Sequence, residues 1–309
     1  MLDTHPILVH ERYSGLPEVP GVRWIFYRGE PASPEAEGLI LWPPQPAELQ
    51  NWFAGLPRLQ FVQTVTAGVD RLLPLDWPPG VRLYNAAGLH DQVVAEHALA
   101  MMLQVTRSLY PARQAQQRRS WSHAYPLRSL AGQRALIWGL GRIGRRLSEM
   151  LGAMGMRVEG VRTRGGEEAG IKVWGQGEIE AALPGCDWLI LLLPRTNQTV
   201  RILDAGKLAR LGPQTWVLNL GRGDAIDLEA LERSLASGRL GGAALDVTDP
   251  EPLPLTSALW GMDQVILTPH LAALSDDLPR RTLAFLAENA RRFVQGQAMV
   301  GEVDRSRGY

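Results

Sequence analysis

The sequence predicts an α/β protein with two units, each built around a parallel β-sheet. Short apolar segments that are typical of buried strands alternate along the chain with segments of helical periodicity. The chain has 309 residues, a length typical of two domains or of one large domain, and 45% of them are hydrophobic, which is ample for a core. A long apolar helical segment near residue 92 separates an irregular first part from a regular second part.

Five short strands are predicted in the first 90 residues, separated by Pro- and Gly-containing segments. They are residues 7–10, 22–26, 38–42, 59–63 and 81–84. One helical segment, residues 46–53, lies between the third and the fourth strand. This pattern indicates a small α/β unit with parallel strands.

Residues 92–109 predict a long helix that is apolar almost all round, as is typical of a helix buried at a domain or subunit interface. An Arg- and Gln-rich stretch follows at 113–119. From residue 132 the chain alternates apolar strands with helical segments, which indicates a parallel sheet covered on both faces. The predicted strands are 135–138, 157–161, 188–193, 216–219, 242–246 and 265–267. A final helix is predicted at 276–294.

Charge and cysteine content exclude several classes of function. Lys plus Arg and Asp plus Glu both number 32, so no global basic field attracts nucleic acid or an anionic membrane. The single cysteine, Cys186, allows no intrachain disulfide or cysteine-based metal site, and we expect it to be buried at the start of a strand. The sequence shows no signal-peptide pattern and no apolar run near the ~20 residues of a membrane span. We therefore expect a cytoplasmic protein without a metal and without nucleic-acid or membrane partners.

The glycine-rich turn at residues 139–144 predicts a dinucleotide site. An apolar strand leads into this turn, and a helical segment follows it. Gly139 would permit the tight bend, Gly141 would let the backbone approach a pyrophosphate, and Gly144 would allow close packing of helix and strand. The free N–H groups and the positive dipole of the helix N-terminus would then bind the phosphates. A glycine turn can also serve packing alone, but the strand and helix around this one favour the dinucleotide.

The end of the next predicted strand, residues 162–164, predicts which dinucleotide binds. An NAD site usually carries Asp or Glu here to hold the ribose 2′-hydroxyl, whereas Glu159 lies too early, inside the strand. The guanidinium groups of Arg162 and Arg164 and the hydroxyl of Thr163 suit a 2′-phosphate. We therefore predict that NADP(H) is preferred over NAD(H); the alternative is a solvated turn with ordinary surface arginines.

Several further segments, in their order and spacing, resemble the D-isomer-specific 2-hydroxyacid dehydrogenases along nearly the whole chain. They are residues 66–70, 85–88, 94–97, 130–132, 186–196, 219–223, 246–252 and 268–270. The resemblance implies a Rossmann-type doubly wound sheet in a dinucleotide-binding domain of residues 90–275. It also implies a smaller flavodoxin-like α/β substrate domain formed by residues 1–89 and 276–309. The loop at 41–44 and the arginine turn look most like the glyoxylate/hydroxypyruvate reductase branch.

The resemblance implies three catalytic residues, and the chemistry of each suits reduction of a 2-keto acid. The guanidinium of Arg222, which follows a predicted strand, can contact both the carboxylate and the carbonyl oxygen. His270 would protonate that oxygen as the hydride arrives at carbon. Glu251 would hydrogen-bond the other ring nitrogen and favour the imidazolium. Taken alone, His270 or Glu251 is more simply interpreted as part of an ordinary loop. As a pair 19 positions apart within matching segments, the two residues favour a catalytic role.

The resemblance also assigns binding residues. The substrate carboxylate would bind to the backbone N–H groups of Ala67, Gly68 and Val69, together with Arg222 and His270. The residues assigned to the cofactor are Gly139, Gly141, Arg142, Ile143, Gly144, Arg162, Thr163, Arg164, Leu193, Pro194, Leu220, Gly221, Arg222, Asp246 and His270. Asp246 resembles the residue that contacts the nicotinamide carboxamide.

Some polar and apolar residues lie outside these assignments. We expect Asp70 to cap a helix and His97 to be structural. The side chain of the substrate is not defined by the sequence, and the candidates for lining its pocket are Trp42, Leu72, Trp121 and Leu274.

Together these residues predict an NADP(H)-dependent reductase of a small 2-keto acid, such as glyoxylate or hydroxypyruvate, that forms the D-2-hydroxy acid. The helix at 92–109 and its extension resemble the dimerisation elements of the family, so we expect a homodimer. The main alternative is a non-catalytic dinucleotide sensor of the same fold, similar to a corepressor, which would bind the cofactor without turnover.

Overall fold

The structure, a computed structural model, describes residues 4–42 and 46–308 and divides the chain into two compact units. The N-terminal unit comprises Met1–His90 and Leu274–Tyr309, and the central unit comprises Asp91–Ala273. The division predicted from the sequence has its boundaries after residues 89 and 275. The assignment of the substrate to the N-terminal unit and of the dinucleotide to the central unit stays a prediction.

The N-terminal unit contains a five-stranded sheet in the order β2-β1-β3-β4-β5, and all of its pairings are parallel. The strands are β1 His5–His10, β2 Val22–Tyr27, β3 Gly38–Ile40, β4 Phe61–Gln63 and β5 Arg82–Tyr84. This is the strand order of flavodoxin-like doubly wound sheets, so the predicted fold of this unit is confirmed.

Two helices cover the two faces of this sheet, α1 at Pro46–Trp52 and the C-terminal helix α8 at Leu278–Val294. Because side chains alternate along a strand, β1 contributes to both cores. Leu8 packs in one cluster with Leu49 of α1, whereas Ile7 packs in the other cluster with Leu286 of α8.

The central unit contains an eight-stranded sheet in the order β13-β12-β11-β10-β6-β7-β9-β8. Its strands are β6 Arg134–Trp138, β7 Arg157–Arg162, β8 Gly166–Glu168, β9 Ile171–Gly175, β10 Trp188–Leu191, β11 Trp216–Asn219, β12 Gly242–Leu245 and β13 Val265–Leu267. Every pairing is parallel except that of β8 with β9. Counted from β6, the six middle strands follow the order 3-2-1-4-5-6, which is that of the Rossmann sheet. The prediction of a doubly wound parallel sheet is confirmed.

Helices cover both faces of this second sheet. They are α2 Asp91–Thr106, α4 Arg142–Ala153, α5 Ile179–Ala182, α6 Ala205–Leu208 and α7 Leu228–Ala236. The remaining helix of this unit, α3 Leu109–Gln117, has no buried residue. Short 3₁₀ helices lie at Glu11–Tyr13, Phe53–Gly55, Gln176–Glu178, Gly223–Ala225 and Ala258–Gly261. On one face, α2 and α4 share a core with β6, in which Ala98, Leu147 and Ile137 are fully buried. None of the described helices combines the length and the apolar character needed to cross a membrane.

Two local predictions were wrong, and one hairpin was not predicted. The single helix expected at 92–109 is two helices, because Ser108 has a left-handed φ of 49° that a right-handed helix cannot continue through. Asp70 does not begin a helix as predicted, because a series of turns follows it. The sequence pattern did not predict β8 and β9, because their hairpin begins with one glycine and two glutamates, a segment that carries no apolar signal.

Candidate active site

The three glycines of the turn after β6 have three different environments. Gly139 has a φ of 106°, and a Cβ there would lie 2.6 Å from the carbonyl oxygen of Leu192. A Cβ on Gly144, in the first turn of α4, would lie 2.6 Å from the carbonyl oxygen of Gly139. By contrast, a Cβ on Gly141 would meet no atom within 4 Å. The turn therefore combines a tight bend and close helix packing with open space beside Gly141, which fits the approach of a pyrophosphate to the helix N-terminus.

The loops that follow β10 and β11 pack backbone to backbone at the same edge of the sheet. A Cβ on Gly221 would lie 2.8 Å from both the backbone nitrogen and the oxygen of Leu193. Leu193 and Leu220 are buried beside this contact. Since Leu192 also touches Gly139, the structure brings the loop segments assigned to the cofactor after β6, β10 and β11 together at the carboxyl edge.

Charged groups surround the N-terminus of α4 and the end of β7. Arg142 donates to Asp91 of α2 at 2.9 Å. Arg162 is the last residue of β7, and its guanidinium forms an ion pair with Glu168 of β8. Thr163 and Arg164 follow as exposed residues. Sequence reasoning missed Glu168, because it singled out only the arginines of this region.

The structure also explains why Glu159 stands apart from the cofactor assignment. Both of its carboxylate oxygens accept hydrogen bonds from Arg134, at 3.0 and 2.8 Å, and one also accepts from the indole of Trp174. The hydrogen bond from Arg134 lowers the pKa of Glu159, and this effect outweighs the opposing one of partial burial. Glu159 is therefore a structural anion that joins β6, β7 and β9.

His270 and Glu251 form a direct pair. The Nδ1 atom of His270 lies 3.0 Å from a carboxylate oxygen of Glu251. The other oxygen of Glu251 accepts a hydrogen bond from the backbone N–H of Thr248 at 3.1 Å. The two side chains are 55% and 41% exposed, so the pair is open to a small molecule. Within the described residues the Nε2 atom of His270 has no hydrogen-bond partner, and this leaves it for proton transfer.

The backbone of His270 is held in a conformation that non-glycine residues rarely adopt, with a φ of 54°. Such a conformation costs on the order of 1–3 kcal/mol and persists where the surroundings fix it. Here the N–H of His270 donates to the carbonyl oxygen of Asp246 at 2.9 Å. The carboxylate of Asp246, only 3% exposed, accepts hydrogen bonds from the backbone of Leu271 and Ala272, at 2.8 and 3.0 Å, and from the hydroxyl of Thr268. Asp246 thus holds the loop that presents His270.

His97 of α2 joins the same network. Its Nε2 atom lies 3.1 Å from the hydroxyl of Thr268 and 3.6 Å from the carboxylate of Asp246. The interpretation of His97 as a structural residue agrees with these contacts. Sequence reasoning gave no role to Thr268 in this network, although its place two residues before His270 was visible.

Arg222 lies in the loop after β11. The side-chain amide of Asn219, the last residue of β11, donates to the carbonyl oxygen of Arg222 at 2.8 Å. The guanidinium of Arg222 donates to the carbonyl oxygen of Gly221 at 2.9 Å. The next residue, Gly223, approaches the backbone of Thr248 so closely that a Cβ there would lie 2.0 Å from its carbonyl carbon. The loops that carry Arg222 and Glu251 are therefore in direct contact.

The remaining assigned residues belong to the N-terminal unit. Ala67, Gly68 and Val69 lie in the loop after β4, where the hydroxyl of Thr66 donates to the carbonyl oxygen of Gly68 at 2.8 Å. The side-chain amide of Asn85 donates to the carbonyl oxygen of Ala67 at 3.1 Å. These two hydrogen bonds brace the loop within its own unit.

The candidates for the substrate pocket differ in their environment. Leu72 is buried in the core of the N-terminal unit, whereas Trp121 and Leu274 are 91% and 61% exposed. The ring of Trp42 stacks beneath the guanidinium of Arg12, 3.8 Å from the ring centroid. Residues 43 and 44 of the predicted 41–44 loop lie outside the described residues.

Two expectations concern groups that do not belong to this edge. Cys186 is a buried free thiol two residues before β10, as predicted, and burial raises its pKa to about 12. Over residues 4–42 and 46–308, no group of three or more His, Cys, Asp or Glu side chains could hold a metal ion.

Comparison with known proteins gives consistent matches. The family model described as "D-isomer specific 2-hydroxyacid dehydrogenase, NAD binding domain" matches residues 99–272. A glyoxylate/hydroxypyruvate reductase A from Enterobacter sp. (strain 638) is 30% identical over 285 residues, which are 89% of this chain and 88% of that protein.

Two solved structures extend the match to the whole chain. A D-isomer specific 2-hydroxyacid dehydrogenase from Xanthobacter autotrophicus Py2, in complex with NADPH and MES, has a TM-score of 0.86 and 29% identity over 99% of this chain and 100% of that one. An NADPH-dependent glyoxylate/hydroxypyruvate reductase from Sinorhizobium meliloti, in complex with NADP and sulfate, has a TM-score of 0.83 and 26% identity over the same shares.

The fold, the matched segments and these similarities agree with one another. The family comprises dehydrogenases that act on CH–OH groups with NAD(P), and within it this chain resembles the glyoxylate/hydroxypyruvate reductase A branch. The chain belongs to the D-isomer specific 2-hydroxyacid dehydrogenases.

Proposed function

We propose that this protein reduces a small 2-keto acid, such as glyoxylate or hydroxypyruvate, to the D-2-hydroxy acid with NADP(H). The observation that carries the proposal is the His270–Glu251 pair, 3.0 Å apart, together with the contact between the loop of Glu251 and the loop of Arg222. A proton donor and a guanidinium at the carboxyl edge of a doubly wound sheet are the groups that reduction of a 2-keto acid requires. The reductase names of the Enterobacter and Sinorhizobium relatives support this substrate class.

The residues of this edge have separate tasks. When bound at the turn of residues 139–144, the nicotinamide dinucleotide supplies the hydride. The guanidinium of Arg222 binds the substrate carboxylate and stabilises the negative charge that develops on the carbonyl oxygen. His270 donates a proton from Nε2 to that oxygen, while Glu251 at Nδ1 fixes the orientation and tautomer of the ring.

The other assigned residues would bind rather than react. The N–H groups of Ala67, Gly68 and Val69 are proposed to bind the substrate carboxylate. The remaining residues assigned above to the cofactor are proposed to hold its pyrophosphate, ribose and carboxamide groups. Asp246, which is fully engaged with the loop of His270, has a positioning role in addition.

A preference for NADP(H) over NAD(H) is part of the proposal. Arg162 and Arg164 offer two guanidinium groups at the end of β7, where the adenosine ribose binds in sheets of this kind. The Xanthobacter and Sinorhizobium structures contain NADPH and NADP, which supports the preference.

We also propose that the protein is a homodimer in the cytoplasm. The surface around α3 carries large apolar side chains that are half exposed or more, namely Leu109, Tyr110, Trp121 and Leu127. A second copy of the chain would cover such a surface. Sedimentation of a monomer at micromolar concentration would contradict the dimer.

Turnover of a keto-acid panel with NADPH and with NADH tests the activity through the nicotinamide absorbance. Glyoxylate and hydroxypyruvate should be reduced, with a higher kcat/KM for NADPH. His270→Gln should lower kcat about 10²- to 10⁴-fold, the usual contribution of general acid catalysis, with NADPH affinity nearly unchanged. Cofactor binding without turnover of any keto acid would favour the dinucleotide sensor instead. Full activity of His270→Gln would refute the role of His270.

A further inference from the structure

Glu168 lies between two arginines at the cofactor edge. One of its carboxylate oxygens forms an ion pair with Arg145 on α4, and the other forms an ion pair with Arg162 at the end of β7. All three side chains are partly exposed, at 29% for Glu168, 48% for Arg145 and 44% for Arg162. The carboxylate therefore holds one of the two guanidinium groups on which the preference for NADP(H) depends.

A tight turn fixes Glu168 at this place. It is the last residue of β8, directly opposite Ile171 of β9. The two residues between them, Ala169 and Gly170, have φ values of 50° and 78°, as in a two-residue hairpin turn with a positive φ at both positions. Because successive side chains of a strand point to opposite faces, Glu168 faces α4 whereas Glu167 faces away from it.

The charges around Glu168 keep its carboxyl group ionised. Desolvation raises the pKa of Glu168, but the hydrogen bond from Arg145 and the charges of Arg145 and Arg162 outweigh it, so the pKa lies below its ordinary value. A 2′-phosphate that approaches Arg162 thus meets a carboxylate already paired with it. A surface cavity lined by Arg145, Glu168 and Gly170 leaves room for this carboxylate to move aside.

We propose that Glu168 is a specificity-determining residue that competes with the ribose 2′-phosphate for Arg162 and so limits the preference for NADP(H) over NAD(H). This inference rests on the proposed assignment of residues 162–164 to the cofactor ribose. A ribose that carries only a hydroxyl has no such competition, because it does not need the guanidinium charge. The effect of Glu168 is therefore confined to the phosphorylated nucleotide.

Calorimetric titration with adenosine 2′,5′-bisphosphate and with 5′-AMP tests the competition without catalysis. At low salt Glu168→Gln should bind the bisphosphate about fivefold more tightly than the wild type, as expected for removal of an exposed ionic competitor. Its affinity for 5′-AMP should change less than twofold. Glu167→Gln is the matched control, because it removes the same charge from the other face of the hairpin, and both affinities should stay within twofold. Thermal denaturation and a second variant, Glu168→Ala, check that the hairpin remains folded.

The outcomes separate this inference from the proposed function. If the wild type prefers the bisphosphate and Glu168→Gln leaves that preference unchanged, the competition is refuted while the arginine assignment stands. Weaker binding of the bisphosphate by Glu168→Gln would also refute it, because Glu168 would then position Arg162 for the phosphate. Equal affinity of wild type and variant for the two nucleotides would refute both the competition and the predicted preference for NADP(H).

Discussion

Replacement of Gly223 by alanine should impair catalysis without touching a reacting group. The new Cβ would lie 2.0 Å from the carbonyl carbon, 2.1 Å from the oxygen of Thr248 and 2.6 Å from the nitrogen of Asp249. All three are backbone atoms, so no rotation of a side chain relieves the overlap. Ordinary van der Waals contact begins at 3.4 Å, and the two loops must therefore separate by about 1.4 Å.

The separation of the two loops should displace the proposed catalytic pair, Glu251 and His270, because Thr248 holds Glu251. The N–H of Thr248 holds Glu251, which in turn holds His270 at 3.0 Å, while Gly223 is the neighbour of Arg222. A misplacement of about 1 Å can cost on the order of 10²-fold in rate. We expect kcat/KM for a 2-keto acid to fall about 100-fold, which corresponds to about 2.7 kcal/mol of transition-state stabilisation. Overpacking should also lower the free energy of unfolding by about 1–3 kcal/mol.

The matched control is Gly152→Ala. Gly152 lies in α4, and a Cβ there would meet no atom within 4 Å. Because alanine is about 1 kcal/mol more favourable than glycine inside a helix, this variant should be as stable as the wild type or more stable, with unchanged kcat/KM. Steady-state kinetics, equilibrium binding of NADPH and thermal denaturation compare the two variants. A kcat/KM for Gly223→Ala within threefold of the wild type would refute the coupling of the two loops.

Three further predictions concern charged or titrating groups. Glu251→Gln should lower kcat at least about tenfold, with unchanged NADPH affinity, because His270 loses its anionic partner; kinetics equal to the wild type would contradict this. Burial raises the pKa of the Cys186 thiol from 9.0 to about 12, so at pH 8.5 alkylation should be about 10³-fold slower in the folded protein than in urea, and a rapid reaction of the folded protein would count against it. The hydrogen bond from Arg134 lowers the pKa of Glu159 below 4.5. The ionised carboxylate therefore stabilises the folded state above about pH 4.5, and this contribution is lost as pH falls through the folded-state pKa. Glu159→Gln should therefore lower the free energy of unfolding, measured by urea denaturation, by roughly 1–3 kcal/mol at pH 7 and by less near pH 3, whereas an equal loss at both pH values would argue against the linkage.

The order of elements could be predicted because its signals are local. Buried parallel strands such as β10, Trp188–Leu191, are continuous apolar runs, and glycine or proline residues mark many of their ends. The β8–β9 hairpin escaped prediction because Gly166–Glu168 is polar and because an alanine occupies a turn position usually taken by Gly or Asn. The helix break at Ser108 was equally hidden, since nothing in the local pattern indicates a left-handed residue there.

The candidate site could be predicted where its residues lie within a short sequence motif. Gly139, Gly141 and Gly144 could be assigned three tasks from their spacing, and the structure gives them three different environments, while their contact with a dinucleotide stays a prediction. His270 and Glu251 could be paired only through the resemblance, because the 18 positions between them carry no geometric information of their own. The 3.0 Å contact between them comes from the fold.

The residues that support the site could not be predicted, because each of them acts through a contact with a segment that is distant in the sequence. Gly223 must be a glycine because a Cβ there would overlap the backbone of Thr248. The carboxylate of Asp246 accepts hydrogen bonds from the N–H groups of Leu271 and Ala272. A carboxylate with such partners stabilises a loop in which His270 keeps a φ of 54°. The hydrogen bonds of Asp246 therefore help to hold His270 in its strained backbone conformation. Because Asp246 follows β12 while its backbone partners lie in the loop after β13, a change at Asp246 should alter the position of His270.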